Sequence, residues 1–243
     1  MIESLLLTAV RVSTFEKRRL LTNATGFFFE RDERLFLVTS RHVMIDEPSE
    51  HFPDRIEIEL HVDAHNMAKS TGFSIPLYRE GKSIWRQAVD TAGEIDVAVI
   101  EIERVALPGA TYYSAFTPKH LLDPIDRVEV GTTLLVVGFP LGFHDTLHHM
   151  PVVRHAVIAS SFGLRFQGEG YFLTDARTHR GISGAPVVMR LPGHDPISGD
   201  LPWILLGVHS TRLDVGTRDL ELDEALGLNC AWYADVLLTL TDG

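Results

Sequence analysis

The stretch His179-Arg180-Gly181-Ile182-Ser183-Gly184-Ala185-Pro186 places a serine between glycines, directly before the apolar residues Val187-Val188-Met189. Glycine adopts backbone conformations that other residues resist, so the stretch predicts a tight turn ahead of a buried strand. A serine on such a turn can present its hydroxyl to a substrate, while nearby backbone N–H groups bind the oxygen that becomes negative during acyl transfer. We expect Gly181 and Ser183 to supply those N–H groups. Most strings of glycine and serine are merely turns, so this interpretation depends on the rest of the chain.

A serine hydroxyl is a weak nucleophile near neutral pH and needs a histidine base that a carboxylate orients. Two upstream segments supply these groups. The apolar run at residues 35–38 is followed by His42, and Asp96 opens the apolar run at residues 97–102. The chain order His42, Asp96, Ser183 is one of the known orders of this triad and differs from those of subtilisins and α/β-hydrolases.

Short apolar or alternating runs recur along the chain and favour an all-β barrel or sandwich. Ile56-Glu57-Ile58-Glu59-Leu60 alternates with a period of two, which is typical of a half-buried strand. The predicted strands are residues 35–39, 56–62, 97–102, 133–138, 152–158, 171–174, 186–189 and 203–208.

The segments around His42, Asp96 and Ser183 together resemble the trypsin-like, chymotrypsin-fold serine proteases, most closely the bacterial HtrA-type and glutamyl endopeptidase branches. The resemblance runs from about residue 20 to the C-terminus and implies an acyl-enzyme mechanism without a cofactor. Four further motifs lie in the order that the family has: Thr25-Gly26-Phe27-Phe28, Leu135-Val136-Val137-Gly138-Phe139-Pro140-Leu141-Gly142, the lead-in at residues 173–184, and Leu205-Leu206-Gly207-Val208-His209-Ser210.

The implied fold is all-β, with two six-stranded antiparallel β-barrels in a chymotrypsin-like double barrel and a short C-terminal helix. Residues 1–110 would form the barrel that carries the histidine and the aspartate. Residues 111–128, which contain Pro118 and Pro124, read as the connection between the barrels. Residues 129–243 would form the second barrel, with the serine and the C-terminal helix. The three catalytic groups would then meet in the cleft between the barrels, where binding sites commonly form.

The resemblance also implies a substrate pocket formed just before the nucleophile and on the strand after it. Glutamyl endopeptidases resemble this chain in having a threonine or serine five residues before the nucleophile and a histidine in a G-x-H strand, and picornaviral main proteases share the arrangement. Thr178 and His209 occupy these places, and both can donate hydrogen bonds to a Glu or Gln side chain. We therefore expect cleavage after Glu or Gln. The alternative is that His209 is an ordinary strand histidine and the pocket takes a small apolar side chain. The implied pocket residues are Arg177, Thr178, His179, Gly207, Val208, His209 and Ser210.

Ile182 departs from the family. Trypsin-type enzymes have an aspartate before the nucleophile that pairs with a newly cleaved N-terminus, and HtrA-type and glutamyl endopeptidase sequences usually have asparagine there. Activation by that pairing is chemically unavailable to Ile182. The departure leaves room for a partner or ligand that orders the oxyanion turn, although the simpler expectation is that Ile182 packs into the second barrel.

The composition of the chain argues against several other classes of function. The chain of 243 residues has 22 basic and 33 acidic residues, and its formal net charge of −11 argues against a general binder of nucleic acid or anionic membranes. A single cysteine, Cys230, excludes an internal disulfide and fits a reducing compartment. The N-terminus lacks the pattern of a signal peptide. We therefore expect a cytoplasmic bacterial protein that acts on a polypeptide substrate.

Two questions stay open from the sequence. The fold could be a latent or catalytically silent module that binds peptides or partner proteins, or one that an activating partner switches on, because geometry is the first requirement of a general base. The segment His144-Asp145-Thr146-Leu147-His148-His149 has residue types that bind metals, but it lacks a defined spacing such as H-E-x-x-H. We expect no metal site and favour a loop on the substrate side.

Overall fold

Two antiparallel sheets follow one another along the chain. A computed structural model describes residues 2–121, 128–191, 201–212 and 227–243. The strands of the first half are β1 Ala9–Glu16, β2 Arg19–Arg31, β3 Arg34–Thr39, β4 Arg55–His61, β5 Ser70–Pro76, β6 Tyr78–Arg79, β7 Lys82–Ser83, β8 Trp85–Asp90 and β9 Gly93–Ile102. The described strands of the second half are β10 Thr133–Gly138, β11 Val152–Val157, β12 Tyr171–Thr174, β13 Pro186–Arg190, β14 Trp203–Arg212 and β15 Asn229–Tyr233.

Helices are short in the described part of the chain. The α-helices are α1 Arg41–Met44 and α2 Val236–Leu240. Single 3-10 turns lie at Leu6–Thr8, Arg104–Ala106, Pro118–His120, Pro140–Gly142 and Phe166–Gly168. This content of strands and short helices confirms the all-β expectation, and the eight predicted runs coincide with β3, β4, β9, β10, β11, β12, β13 and β14.

The first sheet has the strand order β5-β4-β1-β2-β3-β9-β8, and the second has the order β11-β10-β13-β14-β15-β12. Each is a half-barrel of the predicted double-barrel fold. The first sheet counts seven strands rather than six because the hairpin β6–β7 interrupts the segment between β4 and β9. That segment therefore pairs with β4 through β5 and with β9 through β8.

Three apolar clusters form the core and hold the two sheets against each other. In β4 the predicted alternation is confirmed, because Ile56, Ile58 and Leu60 are buried while the two glutamates between them are only half-buried. Each sheet has an apolar cluster of its own. A third cluster joins buried residues of both sheets, among them Phe27, Phe36, Val99, Val137, Leu205 and Trp232. Burial of apolar area is the dominant favourable contribution to folding, so this shared cluster holds the sheets together.

The C-terminal helix α2, which was predicted together with the second barrel, contacts the first sheet. Leu237 and Leu240 enter the shared apolar cluster. Arg86 donates to the carbonyl oxygen of Asp242 at 2.8 Å, and Arg31 pairs with the Asp242 carboxylate at 3.0 Å. In the connection predicted at residues 111–128, one helical turn forms at Pro118–His120, while residues 122–127 lie outside the described residues. The exact domain boundaries stay a prediction.

Candidate active site

His42 lies on the one-turn helix α1, which follows β3, and faces Asp96 on β9. The imidazole Nδ1 is 2.7 Å from Asp96 Oδ2, and the backbone N–H of His42 donates to Asp96 Oδ1 at 2.8 Å. The carboxylate therefore holds both the ring and the backbone of the same residue. Because Asp96 accepts at Nδ1, the neutral ring carries its proton there and leaves the Nε2 lone pair free, which is the tautomer that a general base needs.

The electrostatics of His42 follow from the same contact. Burial by itself lowers the pKa of His42, but the hydrogen bond and the negative charge of Asp96 outweigh it and raise the pKa above its usual 6.5. An imidazolium that forms beside Asp96 is thus stabilised. This is the behaviour required of a base that takes a proton and later returns it.

Ser210, which was expected in the substrate pocket, contacts Asp96. Its hydroxyl donates to Asp96 Oδ2, the oxygen that also faces His42 Nδ1. Ser210 therefore fixes the orientation of the aspartate from the second sheet, across the cleft from His42.

Ser183 lies on the turn before β13 and is half-buried. Its hydroxyl donates to the carbonyl oxygen of Ser210 at 3.1 Å. Among the residues that the structure describes, no hydrogen bond joins Ser183 to His42. The structure thus brings the predicted triad to one place, with Ser210 contacting both Ser183 and Asp96, but the hydroxyl is turned toward the Ser210 carbonyl.

The two predicted oxyanion amides differ from their neighbours on the turn in their hydrogen bonding. Gly181 has φ +91°, and a Cβ there would lie 2.6 Å from the carbonyl oxygen of Phe139, so glycine is required. The neighbouring amides of Ile182, Gly184 and Ala185 donate to protein carbonyls. Within the described ranges, the amides of Gly181 and Ser183 have no such acceptor. Two unpaired N–H groups beside a serine hydroxyl form the arrangement that stabilises an oxyanion.

Thr178 and His209, the two residues expected to select the substrate side chain, are both buried. Thr178 donates its hydroxyl proton to Asn229 Oδ1, while Asn229 Nδ2 donates to the carbonyl oxygens of Ala176 at 2.6 Å and Gly227 at 3.2 Å. His209 is 1% exposed, and its Nδ1 has no hydrogen-bond partner among the described residues. Burial, with a smaller contribution from the charge of His42, lowers the pKa of His209 to about 3, so the ring is neutral at physiological pH.

The other predicted pocket residues differ in their surroundings. Arg177 and His179 are exposed, and the Arg177 carbonyl oxygen accepts two hydrogen bonds from Arg154. Val208 belongs to the apolar cluster that both sheets share. Gly207 lies against β15, where a Cβ would be 2.7 Å from the carbonyl oxygen of Trp232. The structure therefore gives Gly207 and Val208 a packing role.

Sequence reasoning missed Asn229 and the individual role of Thr25. Asn229 is fully buried on β15 and holds Thr178. A single asparagine before the apolar residues 230–232 is a signal that could have found it, because buried polar groups are normally hydrogen-bonded. Thr25 was part of a motif, but sequence alone could not indicate that its hydroxyl donates to Gly181, which is 156 residues away along the chain.

Ile182 packs into the second sheet, which is the simpler of the two expectations for this residue. It is 1% exposed and belongs to the apolar cluster of the second sheet. The histidine-rich loop is held by its own contacts, since His148 Nδ1 lies 2.7 Å from Asp145 Oδ2 and the rings of His144 and His149 stack at 6.0 Å. Within the described part of the chain, no group of three or more His, Cys, Asp or Glu residues is arranged to hold a metal ion.

Comparisons with known proteins show the family and the fold of the chain. The family model of the trypsin-like peptidase domain matches residues 24–191, so the chain belongs to that family and its class is that of the trypsin-like serine proteases. A solved structure of the serine endoprotease from Yersinia pestis is similar in fold, with a TM-score of 0.56 and 15% sequence identity. The match covers 96% of this chain and 61% of that chain. No curated protein sequence matches this chain. No helix among the described residues is long and apolar enough to cross a membrane.

Proposed function

We propose that the protein is a serine endopeptidase that uses His42, Asp96 and Ser183. The observation that carries the proposal is the double contact of Asp96 with His42, made in the same cleft as a serine that lies beside two unpaired amides. Family membership supports the reaction class, and the contacts support the assignment of each residue. We also propose that the chain divides into residues 1–110, 111–128 and 129–243. The same proposal includes a cytoplasmic location and a bacterial source.

In the proposed reaction, Ser183 Oγ turns from the Ser210 carbonyl to His42 Nε2. The oxygen attacks a peptide carbonyl while Nε2 takes its proton, and the amides of Gly181 and Ser183 bind the oxygen that becomes negative. The imidazolium then gives the proton to the leaving amine, which leaves an acyl-enzyme. Water, activated by His42 in the same way, releases the acid and restores the serine.

The test is labelling with a fluorescent fluorophosphonate, which reacts with an activated serine without knowledge of the preferred peptide. Wild type is compared with Ser183→Ala and with a matched control, Ser161→Ala, which removes an exposed serine hydroxyl. We expect wild type and the control to label and Ser183→Ala to remain unlabelled. Equal labelling of Ser183→Ala and wild type would refute the assignment of the nucleophile.

One observation favours a second candidate function, a latent or catalytically silent module. The Ser183 hydroxyl donates to the Ser210 carbonyl rather than to the base. A folded wild type that does not label would support this candidate. A search for an activating partner or a bound peptide would then follow.

We also propose that the pocket at Thr178 and His209 selects Gln, and less strongly Glu, before the cleaved bond. His209 is neutral and offers no charge to a carboxylate, and burying an unpaired carboxylate is costly. The Thr178 hydroxyl already donates to Asn229, so its oxygen is available as an acceptor for an amide N–H. A glutamine side chain is uncharged, and its amide N–H can donate to the Thr178 hydroxyl oxygen.

The preference is tested by profiling a peptide library with wild type and Thr178→Val. We expect Gln to dominate before the cleaved bond in wild type and to lose its advantage in the variant. A wild-type profile dominated by Val, Ala or Arg would contradict the proposed pocket and favour the alternative, in which His209 is an ordinary strand histidine.

A further inference from the structure

The turn that carries Gly181 and Ser183 needs a structural support, and Ile182 supplies no charge for one. Ile182 lies in an apolar cluster and interacts there by packing. The carbonyl groups of its neighbours have polar partners. The Arg180 carbonyl accepts from the Leu141 amide at 2.5 Å, and the Ser183 carbonyl accepts from the Thr25 amide at 3.0 Å.

The Ile182 carbonyl accepts from the Ala185 amide at 2.9 Å, whereas the carbonyl of Gly181 is held by a side chain. Thr25 Oγ1 donates to the Gly181 oxygen at 2.8 Å and accepts from the Phe139 amide at 3.0 Å. An amide can only donate, so the hydroxyl proton is directed to Gly181. Thr25 is fully buried, which leaves water no access to replace these bonds.

The hydroxyl also has little freedom to move. A Cβ on Gly138 would lie 2.6 Å from Thr25 Oγ1, so the chain beside the hydroxyl is as close as glycine permits. The Thr25 carbonyl in turn accepts from Thr39 Oγ1 at 2.7 Å. Thr25 on β2 therefore connects the first sheet, through Thr39, with the oxyanion turn of the second.

Fixed carbonyls determine where the amides point. The peptide unit is planar, so the N–H of Gly181 is directed opposite to the Arg180 carbonyl, and the Gly181 carbonyl fixes the next peptide plane. The unusual φ of +91° at Gly181 lies between these two held planes. Rotation of the first plane would turn the Gly181 amide away from the substrate oxygen. The second plane carries the Ile182 amide and lies between the two planes that carry the Gly181 and Ser183 amides, so its rotation would change the backbone angles on both sides of it and reorient those amides.

We propose that the Thr25 hydroxyl is a positioning residue of the oxyanion hole, which sets the direction of the Gly181 and Ser183 amides through the Gly181 carbonyl. This inference rests on the proposed serine peptidase function. According to this inference, the Thr25 side chain of the first sheet controls the rate at which Ser183 of the second sheet attacks its substrate.

The experiment measures the second-order rate of fluorophosphonate labelling in Thr25→Val, which keeps the shape and removes the hydroxyl, and in Thr25→Ser, which keeps the hydroxyl. Thr241→Val is the matched control. It removes a different buried threonine hydroxyl, which donates to the Leu237 carbonyl at 2.7 Å, and it lies on the C-terminal segment. Thermal unfolding of each variant reports stability separately.

We expect Thr25→Val to label about 10- to 100-fold more slowly, somewhat less than the roughly 100- to 1000-fold cost of deleting an oxyanion donor. Thr25→Ser should remain within about threefold of wild type, and Thr241→Val should lose stability without losing rate. Where Thr25→Val does not fold, Thr25→Cys replaces it, because a thiol is a weak donor and acceptor.

The inference is overturned if Thr25→Val labels as fast as Thr241→Val, or if Thr25→Ser is as slow as Thr25→Val. These outcomes leave the proposed function intact, because wild type still labels and Ser183→Ala does not. A wild type that does not label overturns the proposed function, and the inference with it.

Discussion

The two sides of the cleft differ in how completely their polar groups are paired. On the side of the first sheet, both oxygens of Asp96 accept hydrogen bonds and the His42 ring is held in one orientation. On the side of the second sheet, two amides and the Nδ1 atom of His209 have no partner among the described residues. Unpaired buried polar groups are costly and uncommon in native proteins. The groups of the proposed base are therefore fully paired in the absence of substrate, while the second side has groups that a substrate could satisfy.

The largest loss of activity is expected when the hydrogen bonds on the paired side, that of the first sheet, are disrupted. Asp96→Asn replaces a carboxylate that only accepts by an amide that can also donate, so the His42 ring no longer has to carry its proton on Nδ1. We expect kcat to fall about 10⁴-fold, as loss of the correct tautomer does in triads of this kind. Peptidase or labelling rates measure the effect.

Asp63→Asn is the control for Asp96→Asn. It removes an aspartate that pairs with Lys69 in an exposed loop. A decrease of less than tenfold in Asp96→Asn would mean that the contact of Asp96 with His42 has no catalytic role.

A smaller effect is expected from the residue that connects the two sides. Ser210→Ala removes the hydroxyl that donates to Asp96 but keeps the main-chain carbonyl that accepts from Ser183. The carboxylate loses a donor, so its charge acts more strongly on His42 and raises the pKa of that histidine further. The base must be neutral to act, so the acid limb of the pH–rate profile, already above 6.5 in wild type, should move to higher pH.

The accompanying fall in rate at neutral pH should be about tenfold, near the cost of one hydrogen bond to a charged group. The pH–rate profile of kcat/KM measures both changes. Ser161→Ala again serves as the control. An acid limb that moves to lower pH, or does not move, contradicts the assigned role of Ser210.

The paired side could be predicted from the sequence much more fully than the unpaired side. His42 and Asp96 each border an apolar run that the sequence predicts as a strand, although the structure places His42 on the short helix α1 and Asp96 inside β9. The role of Ser210 depends on which way its side chain leaves β14, where the pairing with β15 shifts register beyond His209. Such a bulge changes the face on which following side chains lie, and no local pattern in the sequence indicates it.

The residues that the sequence did not indicate are those whose hydrogen-bond partners lie far away in the chain. Thr25 and Asn229 act through partners far away in the chain, Gly181 and Thr178. The double-barrel fold was predictable because eight apolar runs coincide with strands and the family motifs occur in order. The hairpin β6–β7, which interrupts the segment between β4 and β9 and forms a separate two-stranded sheet, consists of exposed polar residues and an exposed tyrosine and has no apolar pattern.

His209, whose Nδ1 atom has no partner among the described residues, should also make the stability of the protein depend on pH. Its pKa is lowered to about 3 in the folded protein, mainly by burial, against an ordinary value of 6.5. Between these two values the unfolded chain binds a proton that the folded protein does not bind. The free energy of unfolding should therefore fall as the pH falls from about 6 to 4, and His209 should contribute about 1.4 kcal/mol per pH unit to that slope.

His209→Leu removes the titrating group and should reduce the slope by about that amount, even if its unfolding free energy at pH 7 is lower than that of wild type. Urea unfolding at pH 7, 6, 5 and 4 measures it, and His155→Gln, which removes an exposed histidine, is the control. If the slopes of His209→Leu and wild type are equal, His209 takes up a proton in the folded state. That outcome would contradict the lowered pKa of His209, and with it the argument that the proposed pocket prefers glutamine to glutamate.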